Sequence, residues 1–278
     1  MPSETLMTRP HFPFAIHHIA LATVGLVAAC IAPQTAATPE PPRQLVVLSY
    51  NIHHGEGADG KFDLERLAEV ILATDADLVA LQEVDVRTAR ASGVDQAAEL
   101  GRLTGMHVAF GEAMPYDGGS YGEAILSRWP ILVQEVIALP ASLDHEPRAA
   151  IAVTVQPPGA QTRVRFVGTH LDHTKQDADR LAQTRELLQR LLGSDTPTVI
   201  AGDLNAQPDS ATMAVLFGEG WRPADPTYTP TYPAQNPDIK IDWHLLSPSS
   251  VGKLTDPQIL SEPIASDHCP YRAIWVLR

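Results

Sequence analysis

Cysteine is scarce in this chain, and basic residues are outnumbered by acidic ones. Only Cys30 and Cys269 occur among 278 residues, which excludes a disulfide scaffold and a cysteine-rich zinc site. Lysine and arginine total 20 against 33 aspartates and glutamates, so the formal net charge is −13. An acidic surface repels phosphate backbones, so we do not expect the protein to hold long nucleic acids by charge alone, unless it carries a local basic groove.

Long apolar runs are also rare, and the chief example lies near the N-terminus. The run FAIHHIALATVGLVAAC follows Arg9, is short for a membrane span and ends in small residues. We therefore predict a secretory signal over residues 1–30, with an uncleaved anchor as the alternative. Its end, VAAC, resembles a bacterial lipobox, which implies acylation of Cys30, attachment to the membrane and an extracytoplasmic location in the cell envelope.

The rest of the chain shows no internal repeat and no low-complexity tract long enough to divide it. Residues 31–43 are rich in proline, alanine and threonine, which is typical of an extended tether. We expect a single folded domain over residues 44–278.

Hydrophobic periodicity predicts an α/β fold. Residues Leu64, Leu67, Ala68, Ile71 and Leu72 share one helical face between the strand runs LVVLSYN and DLVALQEV. Further helices are predicted in VDQAAELGRLTG and in DADRLAQTRELLQRLLG. The remaining apolar runs are predicted strands: YGEAILS, ILVQEVIAL, AAIAVTV, RVRFVGTHL, TPTVIAGDLN, IDWHLLS and YRAIWVLR. Mixed βαβ and antiparallel segments favour two packed sheets with helices outside.

Polar side chains stand at the ends of these predicted strands. They are Asn51, His53, Glu83, His170, Asp203, Asn205, Asp242, Ser266, Asp267 and His268. Each alone has a structural explanation as a turn, a cap or a solvated surface residue. The run from Asp203 to Asn205 is not a calcium loop of the EF-hand type, because Pro208 and Ala214 occupy positions that require glycine and glutamate.

Taken together, the motifs resemble a known family. YNIHHG, LQEVD, GEAILSRWPI, GTHLDH, GDLNAQPDS, IDWHLL and SDHCP follow one another as in the endonuclease/exonuclease/phosphatase superfamily of metal-dependent phosphoesterases. The resemblance runs from about Leu45 to the C-terminus. It implies a two-sheet, four-layer α/β sandwich as the fold. It also implies hydrolysis of phosphodiesters, including lipid-linked ones, or of phosphomonoesters as the activity.

The resemblance also implies a role for each strand-end residue. Glu83 would be the principal metal carboxylate, with Asn51 and Asp267 beside it. Asp203 and Asn205 would deprotonate and orient the attacking water, which fits a carboxylate that accepts a proton beside an amide that cannot titrate.

Two histidines are implied to contact the phosphate. His268 would touch the scissile group with Asp242 behind it, a carboxylate that favours imidazolium, and His170 would hold another phosphate oxygen.

Three positions depart from the family pattern or have no assigned role. His53 stands where many relatives have Asp or Asn, which counts against a second metal. Glu123 stands where relatives often have Asn. Arg148 either reaches the substrate or, as we expect, forms a surface salt bridge.

We therefore predict a metal-dependent phosphoesterase that uses Mg²⁺ or Mn²⁺ and acts on small or lipid-linked substrates. The alternatives are an extracytoplasmic nuclease, which the acidic composition disfavours, and a non-catalytic binding module. A serine-hydrolase triad is excluded, because Ser266, Asp267 and His268 are adjacent in one loop and no Gly-x-Ser-x-Gly turn occurs. Cys269 is expected to be a small buried residue.

Overall fold

The computed structural model describes residues 43–277. Within that range the chain forms two six-stranded sheets and four α-helices. The predicted signal sequence, Cys30 and all but the last residue of the predicted tether lie outside the described residues. Across residues 43–277, none of the helices has both the length and the apolar character needed to span a bilayer.

The first sheet has the strand order β11-β12-β1-β2-β4-β3, and the second has the order β5-β6-β7-β8-β10-β9. The strands are β1 (Gln44–Asn51), β2 (Leu78–Val86), β3 (His107–Tyr116), β4 (Gly119–Ser127), β5 (Ile131–Leu139), β6 (Arg148–Val155), β7 (Val164–His170), β8 (Thr198–Asp203), β9 (Arg222–Pro223), β10 (Asp242–Leu246), β11 (Gly252–Ile259) and β12 (Tyr271–Leu277). The helices are α1 (Leu64–Ala73), α2 (Gln96–Thr104), α3 (Ala178–Leu191) and α4 (Ala211–Gly218).

The fold has four layers, helices, sheet, sheet and helices, and an apolar cluster fills each of the three spaces between them. The central cluster lies between the sheets and includes Val47, Ile125 and Trp275. Helices α1 and α2 cover the outer face of the first sheet, and α3 and α4 cover the outer face of the second. The predicted four-layer α/β sandwich is therefore confirmed.

Local sequence signals explain where the first two helices begin. The Asp63 carboxylate accepts a hydrogen bond from the backbone N–H of Arg66 at 2.9 Å, and Asp95 caps α2 in the same way. The predicted buried face of α1 is correct except for Leu72, which is 54% exposed. Leu72 is at position i+8 from Leu64. It therefore lies at the margin of the apolar stripe that Leu64, Leu67, Ala68 and Ile71 form, and there it faces the solvent.

Strand register brings polar residues to one edge of the molecule. In the second sheet, Asp203 pairs with His170 of β7 on one side and with Asp242 of β10 on the other. In the first sheet, Asn51 ends β1 beside β2, and its carbonyl accepts a 2.7 Å hydrogen bond from the Ser266 hydroxyl. The loop before β12 is thereby tied to the end of β1.

Candidate active site

Asp203 is at the centre of the polar edge. Its Oδ2 atom lies 3.4 Å from His170 Nε2 and 3.6 Å from His268 Nε2, and it accepts a 3.3 Å hydrogen bond from Asn51 Nδ2. All four side chains are buried. The structure therefore brings together residues that are up to 217 positions apart in sequence, from position 51 to position 268.

His268 is held between two carboxylates. Its Nδ1 atom lies 3.2 and 3.1 Å from the two carboxylate oxygens of Asp242, opposite its contact with Asp203. Burial alone would lower the pKa of His268, but Asp242 and Asp203 outweigh burial and raise it to about 10. The ring is therefore an imidazolium at neutral pH, and Asp203, Asp242 and His268 form an ion-pair network.

The Asp203 carboxylate is suited to accept a proton near neutral pH. Burial raises its pKa to about 7, although His268 opposes the shift. The backbone N–H of Asn205 donates to Asp203 Oδ1 at 2.9 Å, and Asn205 Nδ2 donates to the carbonyl of Leu171 at 3.1 Å. Asn205 has a φ of +47°, a conformation that asparagine tolerates better than most residues.

Glu83 projects from an irregular part of β2. The register between β2 and β4 shifts between Leu81 and Val84, and Glu83 has a φ of +60°. Asn51 Nδ2 donates to Glu83 Oε1 at 2.9 Å, and His54 Nδ1 lies 4.0 Å from Oε2. Burial raises the pKa of Glu83, but the neighbouring His54, the hydrogen bond from Asn51 and the charge of His268 reverse the shift and lower it overall. Glu83 therefore remains a carboxylate.

The surroundings of Glu83 fit a hard divalent cation. The Glu83 and Asp267 carboxylates line the same cavity. Asn51 Oδ1 accepts the backbone N–H of His53 at 3.0 Å, which leaves one lone pair of the amide oxygen. Carboxylate and amide oxygens are the ligands that Mg²⁺ and Mn²⁺ prefer, so Glu83, Asp267 and Asn51 suit such an ion.

A second acidic cluster lies outside this cavity and contains His145, Asp172 and Asp179. Both Asp179 oxygens already accept hydrogen bonds from Ser142, and Nδ1 of His145 lies 2.6 Å from Oδ2. Arg180 Nη1 is 4.0 Å from the Asp172 carboxylate. Hydrogen bonds and a neighbouring guanidinium therefore account for this cluster.

Arg148 does not form the surface salt bridge that we expected, because its side chain is buried and lines the same cavity as Glu83 and Asp267. Its guanidinium lies 2.9 Å from Glu146, 3.0 Å from His170 Nδ1 and 3.1 Å from His173 Nδ1. The expectation was wrong because the partners of Arg148 come mainly from β7 and the loop after it, and the local sequence does not show this pairing.

Glu123 and His53 occupy the other two positions that differ from the family pattern. Glu123 is fully buried, and neither carboxylate oxygen has a hydrogen-bond partner among residues 43–277. Burial raises its pKa well above the usual range, although the Arg148 cation opposes the shift, and this favours the protonated acid, which donates a hydrogen bond as an amide does. His53 lines the cavity, and its Nδ1 atom is 3.0 Å from the carbonyl of Glu56.

The cavity has a volume of about 470 Å³ and is lined by Glu83, His170, Asp203, Asn205, Asp267 and His268. Asp242 and Asn51 contact these residues from behind. The sequence did not indicate nine other lining residues: His54, Arg90, Met114, Tyr116, Tyr121, Glu146, His173, Tyr232 and Ile241. His54 and His173 fall inside the quoted motifs YNIHHG and GTHLDH, but Arg90 and the tyrosines have no local signal. A larger cavity of about 1010 Å³ lies between α3 and α4 and contains none of the predicted site residues.

Known proteins resemble this chain in sequence. A model of the Endonuclease/Exonuclease/phosphatase family matches residues 48–268. The uncharacterized protein YbhP of Escherichia coli (strain K12) is 27% identical over 247 residues, which cover 82% of this chain and 94% of YbhP.

Solved structures share the fold. An endonuclease/exonuclease/phosphatase from Beutenbergia cavernae is 26% identical, with a TM-score of 0.73 over 84% of this chain and 72% of that chain. The mannosyl-6-phosphatase of Bacteroides thetaiotaomicron is 16% identical, with a TM-score of 0.70 over 84% of this chain and 100% of that chain. At that identity the likeness shows the fold alone.

Proposed function

The chain belongs to the endonuclease/exonuclease/phosphatase family of hydrolytic, divalent-metal-dependent phosphoesterases, and from this membership we propose that it hydrolyses small or lipid-linked phosphoesters by in-line attack of water. The observation that carries the proposal is the contact of Asp203 with His170, His268 and Asn51 in a cavity that also exposes Glu83 and Asp267. One pocket thus holds a base, phosphate-binding groups and oxygen ligands.

In this mechanism Asp203 and Asn205 handle the attacking water. Asp203 accepts the proton, and its pKa of about 7 lies close to the pH at which general bases are most effective. Asn205 does not titrate, so it orients the water without competing for the proton. Its position is fixed by the bond from its backbone N–H to Asp203.

Positive charge stabilises the phosphate in the transition state. The His268 imidazolium supplies a permanent charge and N–H donor beside Asp203. His170 supplies a neutral donor, and the Arg148 cation lies directly behind it. A divalent cation held by Glu83, Asp267 and Asn51, which we propose to be Mg²⁺ or Mn²⁺, would neutralise charge on the phosphate when bound.

The proposed preference for small or lipid-linked substrates rests on size and charge. A volume of about 470 Å³ is that of a small-molecule pocket, and the net charge of −13 opposes long nucleic acids. The proposed extracytoplasmic location and anchoring through Cys30 rest on the N-terminal sequence, and they would keep the site near lipid headgroups.

The test is hydrolysis by purified protein of bis-p-nitrophenyl phosphate, phospholipid vesicles and plasmid DNA, with Mg²⁺ or Mn²⁺ added. Asp203→Asn keeps the shape of the side chain but removes the base, so we expect kcat to fall by about 10²–10⁴-fold. Asp209→Asn is the matched control, because Asp209 is exposed and lies outside the cavity.

Unchanged turnover in Asp203→Asn would overturn the mechanism. Efficient plasmid cleavage without hydrolysis of the small ester or the lipids would instead identify a nuclease. Inactivity of the native protein on all three substrates with either metal would favour the non-catalytic binding module.

A further inference from the structure

Arg148 contacts two histidines through the same type of ring atom. Its Nη1 atom lies 3.0 Å from Nδ1 of His170, and its Nη2 atom lies 3.1 Å from Nδ1 of His173. The side chain is 3% exposed, and Glu146 lies 2.9 Å from Nη1. The guanidinium is therefore held in a fixed position between the two rings.

These contacts decide which ring nitrogen carries the proton. A guanidinium donates hydrogen bonds and accepts none, so each Nδ1 atom must accept. A neutral imidazole with an accepting Nδ1 carries its proton on Nε2. Both His170 and His173 are therefore Nε2–H donors, and the burial of His170 beside the Arg148 cation, which lowers its pKa, agrees with a neutral ring.

The two Nε2–H groups have different surroundings. Nε2 of His170 lies 3.4 Å from Oδ2 of Asp203, the carboxylate that accepts its hydrogen, and 3.0 Å from Nδ2 of Asn205, which donates to the carbonyl of Leu171. His173 is exposed and lines the mouth of the same cavity. Among residues 43–277, its Nε2 atom has no hydrogen-bond partner.

We propose that His173 is a substrate-binding residue whose Nε2–H donates to an oxygen of the organic group attached to the phosphate. Arg148 fixes the tautomers of His170 and His173 in which Nε2 is the donor. This inference rests on the proposed function, since it places an ester in the cavity. His173 is connected to Asp203 through Arg148 and His170, so we place the oxygen that it binds beyond the scissile phosphate. The site thus favours phosphoesters with an acceptor oxygen, such as a hydroxyl, next to the ester linkage.

The tautomers are tested by nuclear magnetic resonance on the full-length protein. Long-range ¹⁵N–¹H spectra of ¹⁵N-histidine-labelled protein distinguish Nε2–H, Nδ1–H and imidazolium forms, and His170→Gln and His173→Gln assign the signals. At neutral pH we expect Nε2–H for both rings, and a mixture of tautomers for His173 in Arg148→Lys, whose single ammonium cannot bridge both rings. A wild-type Nδ1–H or imidazolium form of either ring would overturn the proposal.

The contact with substrate is tested with two probes in EDTA, where metal-dependent turnover does not interfere. Glycerol 3-phosphate carries hydroxyl oxygens near the phosphate, and propyl phosphate does not. We expect both probes to shift the His170 signals, and glycerol 3-phosphate alone to shift those of His173. A shift of His170 without any shift of His173 overturns the assignment, and no shift in either residue contradicts the proposed phosphoester site as well.

Affinity provides a second measurement. His173→Ala should weaken binding of glycerol 3-phosphate about tenfold, the effect of one lost hydrogen bond, and leave propyl phosphate within about twofold. His173→Gln retains an N–H donor and should recover most of the loss. His107→Ala, an exposed histidine of β3 outside the cavity, is the control. Equal weakening of both probes would reduce His173 to a structural role, and failure of the hydrolysis assay alone would leave these binding results standing.

Discussion

Lys240 is a buried cation close to Asp242. It is 3% exposed, its Nζ atom lies 3.8 Å from the centre of the Tyr271 ring and 5.3 Å from that of Trp243, and Nζ has no hydrogen-bond partner in the described range. Burial lowers the pKa of Lys240 to about 8, although Asp242 and Asp225 oppose the shift. Its charge is therefore maintained at a cost to stability near neutral pH.

Replacing Lys240 with methionine should change how stability depends on pH. The folded-state pKa is about 8 and the ordinary value is 10.5, so between these values the unfolded chain binds more protons. The free energy of unfolding of the native protein should therefore rise over this interval relative to Lys240→Met, by up to about 1.4 kcal/mol for each unit of pKa shift. Urea unfolding in EDTA at about pH 7 and about pH 10 measures this, and a difference independent of pH would contradict it.

At the same scale, the sequence indicated the positions of the polar residues at the polar edge better than the surroundings of Arg148 and Glu123. Asp203, Asn205 and His268 stand in short motifs whose residue types already suggest metal and phosphate chemistry. The burial of Arg148 and Glu123 depends on side chains of other strands, and a single sequence does not show which strands are neighbours. The catalytic and metal-binding roles themselves remain predictions.

At the scale of single elements, β8 is packed too closely against β7 to accept a side chain before Asp203. A Cβ atom on Gly202 would lie 1.9 Å from the backbone carbonyl of Thr169, and Gly202 has a φ of +153°. Gly202→Ala should therefore force the strands apart, lower the free energy of unfolding by about 1–3 kcal/mol, and reduce turnover by displacing Asp203 from His170.

The control is Gly218→Ala at the end of α4, where no atom lies within 4 Å of the added methyl group. Alanine is the better helix former, so this variant should be unchanged or stabilised by up to about 1 kcal/mol. Chemical denaturation of both variants provides the comparison. If Gly202→Ala were as stable as the native protein, the close packing of β7 against β8 would not restrict this position.

The sequence analysis did not predict four elements, β3, β9, β11 and α4, and two of them show why. Helix α4 has the sequence ATMAVLFG, which is apolar on nearly all sides and so gives no amphipathic stripe. Strand β11 lies at the edge of its sheet, has no buried residue and contains Pro257, so it lacks both alternation and strand propensity. The amphipathic helices α1, α2 and α3 were predicted because their buried faces repeat.

For the molecule as a whole, the proposed cation should stabilise the fold. A ligand that binds only the folded state adds about 2.7 kcal/mol at one hundred times its dissociation constant. We expect Mg²⁺ or Mn²⁺ to raise the melting temperature of the native protein, and Glu83→Gln to abolish the increase. Glu65→Gln, an exposed position on α1, should retain it. An equal increase in Glu83→Gln would assign the cation to another site.

The order of the motifs made the architecture predictable. The way in which the two packed sheets place their side chains around one cavity could not be predicted. Asn51, Glu83 and Asp267 come from the first sheet and its loops, whereas His170, Asp203 and Asp242 come from the second. Their distances depend on how the central apolar cluster fills the space between the sheets. Volume complementarity of this kind depends on many segments of the packed core together, so no single segment of the sequence predicts it.

His170, Asp203 and Asp242 occupy one row across three hydrogen-bonded strands. Successive residues of a strand point to opposite faces, so deleting a single residue from β8 would turn Asp203 toward the α3 and α4 layer and send an apolar neighbour into the pocket. Natural variation in chain length should therefore be confined to the connecting loops, where insertions reshape the entrance and leave the row aligned. The alignment of the row therefore depends on constant strand length. The shape of the entrance, which selects the substrate, can change without disturbing that alignment.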